Sequence, residues 1–346
     1  MTNVILACGI CFATMSLSMK LAADAKEASD PKEMYVEAIV SVRNLVKRYD
    51  GMVALDHFSM EIAPGEVFGL LGPNGSGKTT AINCILQLLT YDKGEIELFG
   101  QPMTQTSYDL KRRIGIVPQN IAVFEELTVT ENIDYFCGLY VPDAAQRRSM
   151  VADAIRFVGL EDYTRARPKK LSGGLLRRLN IACGIAHRPQ LVFFDEPTVA
   201  VDPQSRASIL EGIKRMNAEG STIVYTSHYM EEVEEICTRI MIMDKGCTLA
   251  CGSNEELKAI VAAGEKIVIE AQANEASLLR IRALPHVIQA EYADGRLEVT
   301  CENGEHNVAD VLDELSKARI VPGRIWAEPP TLNDVFLEIT GRELRD

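Results

Sequence analysis

Gly72-Pro73-Asn74-Gly75-Ser76-Gly77-Lys78-Thr79-Thr80 follows the apolar run Val67-Phe68-Gly69-Leu70-Leu71 and precedes residues 81–89, whose apolar positions recur at helical spacing. Strand, glycine-rich loop and helix in that order are the setting of a phosphate-binding loop. Gly72, Gly75 and Gly77 let the backbone turn tightly and bring several N–H groups to one anion. The helix that follows aims its N-terminal partial positive charge at the same point. Phosphate is the occupant this chemistry selects. In such a loop Lys78 reaches the β- and γ-phosphates as a point charge, and the Thr79 hydroxyl holds a bridging Mg²⁺.

Other segments converge on that loop. Leu191-Val192-Phe193-Phe194-Asp195-Glu196 reads as a fully buried parallel strand closing in two carboxylates. Asp195 is placed to hold Mg²⁺, and Glu196 to accept hydrogen bonds from a hydrolytic water as general base or as its orienter. Carboxylates that merely cap a strand are common; the glycine-rich loop upstream favours the catalytic reading. Residues 114–119 read as a buried strand ending in the polar Gln119, and the strand 221–226 ends in Ser227-His228. Ligands gather at the carboxyl ends of parallel strands, so Gln119 can approach the metal or the attacking water and His228 a γ-phosphate. The plain alternatives are a loop amide that satisfies backbone and an ordinary surface or core histidine. Leu171-Ser172-Gly173-Gly174 opens a helix through Ala186, with Ser172 as N-cap and a second anion site implied at its exposed end. Tyr49 stands on a Tyr49-Asp50-Gly51 turn between alternating stretches near 39–42 and 58–62, which read as a small antiparallel sheet. It either stacks on adenine or closes the turn. Residues 128–140 and 144–160 read as a helical insertion capped at Thr128 or Thr130.

The chain has 346 residues, 47% of them hydrophobic, enough for a full core and a smaller second one. Its net charge of −13 argues against nucleic acid or anionic lipid as the main partner. Nine scattered cysteines, with no second pair to complete Cys8 and Cys11 or Cys247 and Cys251, read as reduced structural thiols of a cytosolic protein. Residues 4–19 are mostly apolar and are followed by Lys20 and a polar linker, yet the run is short for a membrane span and no basic n-region precedes it, as a secretion signal requires. Of a weak anchor, a secretion signal and dispensable upstream sequence, the last is preferred, with Met34 as the practical start.

Taken together, the motifs from about Ile39 to Leu257 resemble the nucleotide-binding subunits of ATP-binding-cassette (ABC) transporters. Residues 72–80 match the Walker A loop of that family, Gln119 the Q-loop, Leu171 to Gly174 the signature motif, Leu191 to Glu196 the Walker B strand, Asp202 the D-loop and His228 the switch histidine. Tyr49 falls at the adenine-stacking aromatic. Two positions depart from the pattern: Leu175 stands where the signature often has Gln, and Ala200 where related sequences often carry Gly. The resemblance implies a P-loop α/β fold of ABC type, with an antiparallel β subdomain, a RecA-like parallel core and a helical insertion. It implies ATP and Mg²⁺ as ligands, with Thr79, Gln119 and Asp195 toward the metal. It also implies a head-to-tail homodimer in which Ser172, Gly173 and Gly174 of one subunit face ATP bound by the other, and Asp202 lies at the junction. Coupling would run through the Gln119 loop and the insertion to a separate membrane-spanning permease, which places the chain peripherally on the cytoplasmic face of the membrane.

Beyond Leu257 the pattern becomes β-α-β-β-α-β, a ferredoxin-like split repeat, and Pro330 to Leu344 looks like the tail of ATPases from ABC-2-type exporters. Regulation, subunit pairing and simple stabilisation are all open roles for it. The expected organisation is an extension over 1–34, a nucleotide-binding domain over 35–260 and an accessory domain over 261–346. A soluble ABC ATPase acting on ribosomes ordinarily carries two cassettes, and a DNA-repair ATPase separates its Walker motifs by long coiled coils. Neither feature is in this sequence. A non-hydrolysing binding module is disfavoured by the presence of both Glu196 and His228.

Overall fold

The structure, a computed structural model, describes residues 38–261, 263–302, 307–328 and 330–341. The apolar run 4–19, its linker, Met34 and the Cys8–Cys11 pair lie outside the described residues.

Strand β1 (Val40–Tyr49) turns through Asp50 and Gly51, both at positive φ, into β2 (Met52–Ile62). Along the second half of β2 the buried Phe58, Met60 and Ile62 alternate with the exposed Ser59 and Glu61, which is the signature of a half-covered antiparallel sheet. With β4 (Lys93–Leu98) and β5 (Gln101–Pro102) they form a sheet in the order β2-β1-β4-β5.

The central sheet runs β10-β9-β3-β8-β7-β6. Its members are β3 (Val67–Leu71), β6 (Ile114–Val117), β7 (Leu191–Asp195), β8 (Thr222–Ser227), β9 (Arg239–Asp244) and β10 (Cys247–Gly252). β6, β7, β8, β3 and β9 pair in parallel, while β10 closes the edge antiparallel to β9. Successive residues of one strand face two different cores. Phe193, Phe68 and Val224 point to the side covered by the antiparallel sheet and α1 (Lys78–Ile85). Phe194, Val192 and Tyr225 point to the opposite side. Burial on both faces is why these strands read as unbroken apolar runs. Each fully buried phenylalanine contributes about 1.5–3 kcal/mol of burial energy.

A short α2 (Tyr108–Lys111) precedes β6. Between β6 and β7, α3 (Val129–Gly138) and α4 (Ala144–Val158) form the expected helical insertion, packed on α5 (Gly173–Ile185). Thr128 is its cap, in a reciprocal capping box with Glu131. α6 (Pro203–Ala218) follows β7, with Asp202 as N-cap and proline at its first position. α7 (Met230–Ile236) and α8 (Asn254–Lys258) complete this part of the chain.

The C-terminal segment forms β11 (Ala263–Glu270), α9 (Glu275–Arg282), β12 (Val287–Ala293), β13 (Arg296–Glu302), α10 (Asn307–Lys317) and β14 (Ile325–Glu328). Its sheet order β12-β13-β11-β14 is antiparallel throughout, with a core that includes Ile267, Ile269, Leu297, Val299 and Val311. The β12–β13 turn places Asp294 and Gly295 at positive φ, as a two-residue hairpin requires. The last helix, α11 (Leu332–Thr340), does not join that core. Leu332, Val335 and Phe336 pack with the cluster around α7 and α8. The Leu332 N–H also donates to Glu234 on α7 at 2.8 Å.

Candidate functional site

The adjacency of β3, β8, β7 and β6 brings four distant segments to one carboxyl edge. β3 delivers the glycine-rich loop. Gly72 permits it to lie against the neighbouring strand, since a Cβ there would stand 2.3 Å from the Met243 carbonyl oxygen. Gly75 and Gly77 adopt φ of 79° and 108°, a region favourable only to glycine. Gly77 caps α1 without any side-chain hydrogen bond, so the first-turn N–H groups stay directed into the loop. Ser76 Oγ is buried there with no hydrogen-bond partner. An uncapped helix N-terminus and an orphaned hydroxyl are what a bound phosphate satisfies.

Lys78 is 4% exposed, and its ammonium donates to the carbonyl oxygens of Gly72 at 2.7 Å and Pro73 at 3.2 Å. It lies 3.3 Å from Glu196 Oε1. Burial lowers its pKa against the pull of Glu196 and Asp195. Thr79 Oγ1 donates to Asp195 Oδ2 at 2.9 Å, and Thr226 Oγ1 to Asp195 Oδ1 at 2.8 Å. Burial raises the Asp195 carboxyl above its ordinary value, and these two hydroxyls hold it back. A hydroxyl beside a carboxylate, with an amide near, is an oxygen donor set suited to a hard cation such as Mg²⁺.

Glu196 follows β7 with φ of 47°, an uncommon conformation for a long side chain. Its N–H donates to Thr226 Oγ1 at 2.9 Å. Gln119 Nε2 donates to its Oε2 at 2.8 Å, and His228 Nδ1 lies 3.5 Å from its Oε1. Tyr49, Asn74 to Thr80, Gln119 and Glu196 line one cavity of about 520 Å³. Tyr49 is 40% exposed and sits beneath the Lys47 ammonium at 5.0 Å. A larger cavity of about 810 Å³, between α4 and the α6–β8 loop, contains none of these groups.

Ser172, Gly173, Gly174 and Asp202 do not line the nucleotide-sized cavity. Ser172 caps α5 through the Leu175 N–H, and both Ser172 and Gly173 are exposed. Gly174 is buried instead: a Cβ there would stand 2.2 Å from Ser205 Oγ and 2.9 Å from Asp202 Oδ2. The two glycines therefore do different work. Asp202 accepts from the Ser205 N–H at 2.9 Å, which with the Ser205 hydroxyl holds its carboxyl below the ordinary range. Leu175 packs against the core, and Ala200 adopts φ of 59°, which explains why glycine suits that position.

Several participants escaped the sequence reading. Lys245, at the β9–β10 turn, lines the cavity beside Met52, Val53 and Ala54. The same turn is pinned to the loop by the Gly246 N–H on the Ser76 carbonyl at 2.8 Å. Arg177 on α5 donates to the Gln119 carbonyl at 2.7 Å, and Asn180 to that of Pro118 at 3.2 Å. Their signal was polar residues on an otherwise apolar helix face. Lys245 had no signal, because only the parallel pairing of β9 with β3 brings its turn to the loop.

Residues 55–199 match the family model described as ABC transporter, and residues 252–340 the model for the C-terminal domain of DrrA1-3-like ATP-binding proteins. The linearmycin resistance ATP-binding protein LnrL of Bacillus subtilis (strain 168) is 36% identical over 311 residues, covering 89% of this chain and 100% of the relative. The Nod factor export ATP-binding protein I of Paraburkholderia xenovorans (strain LB400) is 36% identical over 314 residues, covering 90% and 99%. Among solved structures, an ATP-binding subunit of an ABC transporter superposes with a TM-score of 0.59 at 25% identity, covering 64% of this chain and 92% of that one. A dimeric, post-hydrolysis ATP-binding cassette bound to ADP and Pi superposes with a TM-score of 0.58 at 26% identity, covering 62% and 98%. With the loop, the carboxylate strand and these likenesses in agreement, the chain belongs to the ATP-binding, ATP-hydrolysing subunits of ABC transporters.

Proposed function

We propose that this chain is the ATPase of an ABC-2-type exporter, working as a head-to-tail homodimer on a separate membrane-spanning permease. The observation that carries the hydrolytic part is the meeting of Lys78, Gln119, His228 and the Thr79–Asp195 pair around Glu196. The export part is supported by the DrrA-like C-terminal match and by relatives named for resistance and export.

In this reading Tyr49 stacks on adenine and residues 72–80 cradle the phosphates, with Lys78 neutralising charge at their far end. Thr79, Asp195 and Gln119 would hold Mg²⁺, whose chemistry is to neutralise charge on the phosphate oxygens. Glu196, fixed by Gln119, accepts the proton of the attacking water, and His228 donates a hydrogen bond toward the γ-phosphate. Ser172 and Gly173, exposed at the start of α5, serve the nucleotide of the second copy. A helix N-terminus presented to a γ-phosphate favours the triphosphate over the diphosphate, so binding closes the dimer and hydrolysis opens it.

Exposed Phe124 and Tyr135, packed edge to face on the insertion, form the surface for the permease. No helix among the described residues is long and apolar enough to cross a membrane. The proposed seat is the cytoplasmic face of the membrane. The organisation proposed is a cassette over 35–260 and an accessory domain over 261–346, supported by the separate core of the C-terminal sheet.

The test uses Glu196→Gln. Hydrolysis is expected to fall by about 10²–10³ while ATP is retained, and the variant should elute as a dimer with ATP and a monomer with ADP. A chain that stays monomeric with ATP refutes the sandwich. Recovery of a polytopic membrane protein with the tagged chain from solubilised membranes supports export; recovery of only cytosolic partners removes that part.

A further inference from the structure

Glu232, on α7, is a carboxylate with 2% exposure that neither touches the cavity nor belongs to any motif considered above. Its Oε2 accepts hydrogen bonds from Tyr225 at 2.7 Å, Thr198 at 2.8 Å and Ser227 at 3.1 Å. Arg206 Nε lies 3.1 Å from its Oε1. A carboxylate withdrawn from water persists only where its partners replace the lost hydration. Here the partners come from separate segments around the site.

Thr198 stands in the turn that follows Glu196, and Ser227 immediately precedes His228. Arg206 stands in the first turn of α6, just beyond Asp202. Ser227 Oγ, while donating to Glu232, accepts the Tyr229 N–H at 2.9 Å and so shapes the turn that carries His228. From the other side the Arg206 guanidinium lies 4.6 Å over the Tyr229 ring, whose centroid is 4.2 Å from that of His228. Glu232 thus grips the His228 turn twice and the Glu196 turn once.

We propose that Glu232 is a positioning residue for ATP hydrolysis, holding the His228 turn and the Glu196 turn in one register so that the two side chains keep the separation the reaction needs. This rests on the reading of Glu196 and His228 as the hydrolytic pair. Because Glu232 is buried and lies outside the cavity lining, its loss acts on the chemical step and leaves ATP binding intact.

The test is steady-state and single-turnover ATP hydrolysis by the full chain, with binding of a fluorescent ATP analogue measured alongside. Glu232→Gln keeps the volume and one acceptor but replaces the oxygen facing Arg206 or the hydroxyls with a donor. The expected result is a kcat lower by about tenfold, with KM and analogue affinity within about twofold of the parent. In a His228→Ala background the same substitution should cost less than about twofold, since residues acting through one another are not additive. An unchanged kcat, or the full loss repeated on top of His228→Ala, overturns the proposal. Should Glu232→Gln fail to fold, Arg206→Ala, at a position with 38% side-chain exposure, must reproduce the fall in kcat at constant KM, and wild-type turnover there overturns it equally. If His228→Ala itself hydrolyses at the wild-type rate, the hydrolytic reading fails on its own account, whatever Glu232→Gln does.

Discussion

Gly173 and Gly174 open the same helix in opposite surroundings, and alanine at each separates folding from function. At Gly174 the new Cβ would stand 2.2 Å from Ser205 Oγ and 3.0 Å from Ser205 Cβ, so α5 and α6 must part. Overpacking of this kind costs about 1–3 kcal/mol, against a gain of up to about 1 kcal/mol from replacing a helical glycine. The expected net loss is about 1–2 kcal/mol. At Gly173 no atom lies within 4 Å of the added methyl, so only the helical gain remains. Urea unfolding followed by circular dichroism should therefore place Gly174→Ala below the parent and Gly173→Ala level with it or above. Adding Ser205→Ala to Gly174→Ala removes the nearest atom and should recover at least half of the loss. ATP hydrolysis should fall in the Gly173→Ala variant although it is folded, because its methyl sits on the exposed face proposed to meet the second nucleotide. A Gly174→Ala chain as stable as the parent, or a Gly173→Ala chain destabilised equally, refutes the assignment of one glycine to packing and the other to the ligand.

Lys245→Ala should raise KM for ATP several-fold with kcat nearly unchanged, as expected for a charge that lines the cavity without facing the reacting groups; an unchanged KM removes it from the site. Ala200→Gly should stabilise the chain by about 0.5–1 kcal/mol, the left-handed cost of about 1–2 kcal/mol less the entropy glycine adds to the unfolded chain. Equal or lower stability in urea counts against strain at that turn. His187 is buried with Nε2 donating to the Ile114 carbonyl at 2.9 Å and its ring stacked on Tyr140, and burial holds its pKa below 6.5. The unfolded chain then takes up the proton first, so stability falls as pH drops below 6.5, by at most about 1.4 kcal/mol per pH unit. His187→Gln should flatten that slope, and an unaltered slope assigns the effect to other groups.

Much of the site was legible because its chemistry is local. A glycine-rich loop needs a strand before it and a helix after it, and residues 67–89 carry both signals. The β12–β13 hairpin announced itself in the same way, through Asp294 and Gly295 at its turn. Residues 229–257 were not legible to the same degree, because short elements such as β9, β10 and α7 owe their stability to the sheet and core they join. Lys245 and Glu232 share that invisibility, since Lys245 reaches the cavity beside the glycine-rich loop and Glu232 reaches Thr198, both far away in the chain. The closing helix α11 read as a family tail, yet its Phe336 fills the core beside α7.

By itself the sequence determined the phosphate loop, the carboxylate strand, the helix caps and the split repeat, since each is specified by residues within a few positions of one another. Only the tertiary structure decided that Gly174 packs while Gly173 is presented, that Glu232 binds the turns after Glu196 and before His228, and that the chain's last helix leans on α7. These are contacts across the sheet and between helices, and their partners are chosen by parallel strand order and by the shape of the space left in the core, neither of which any local pattern of residues encodes.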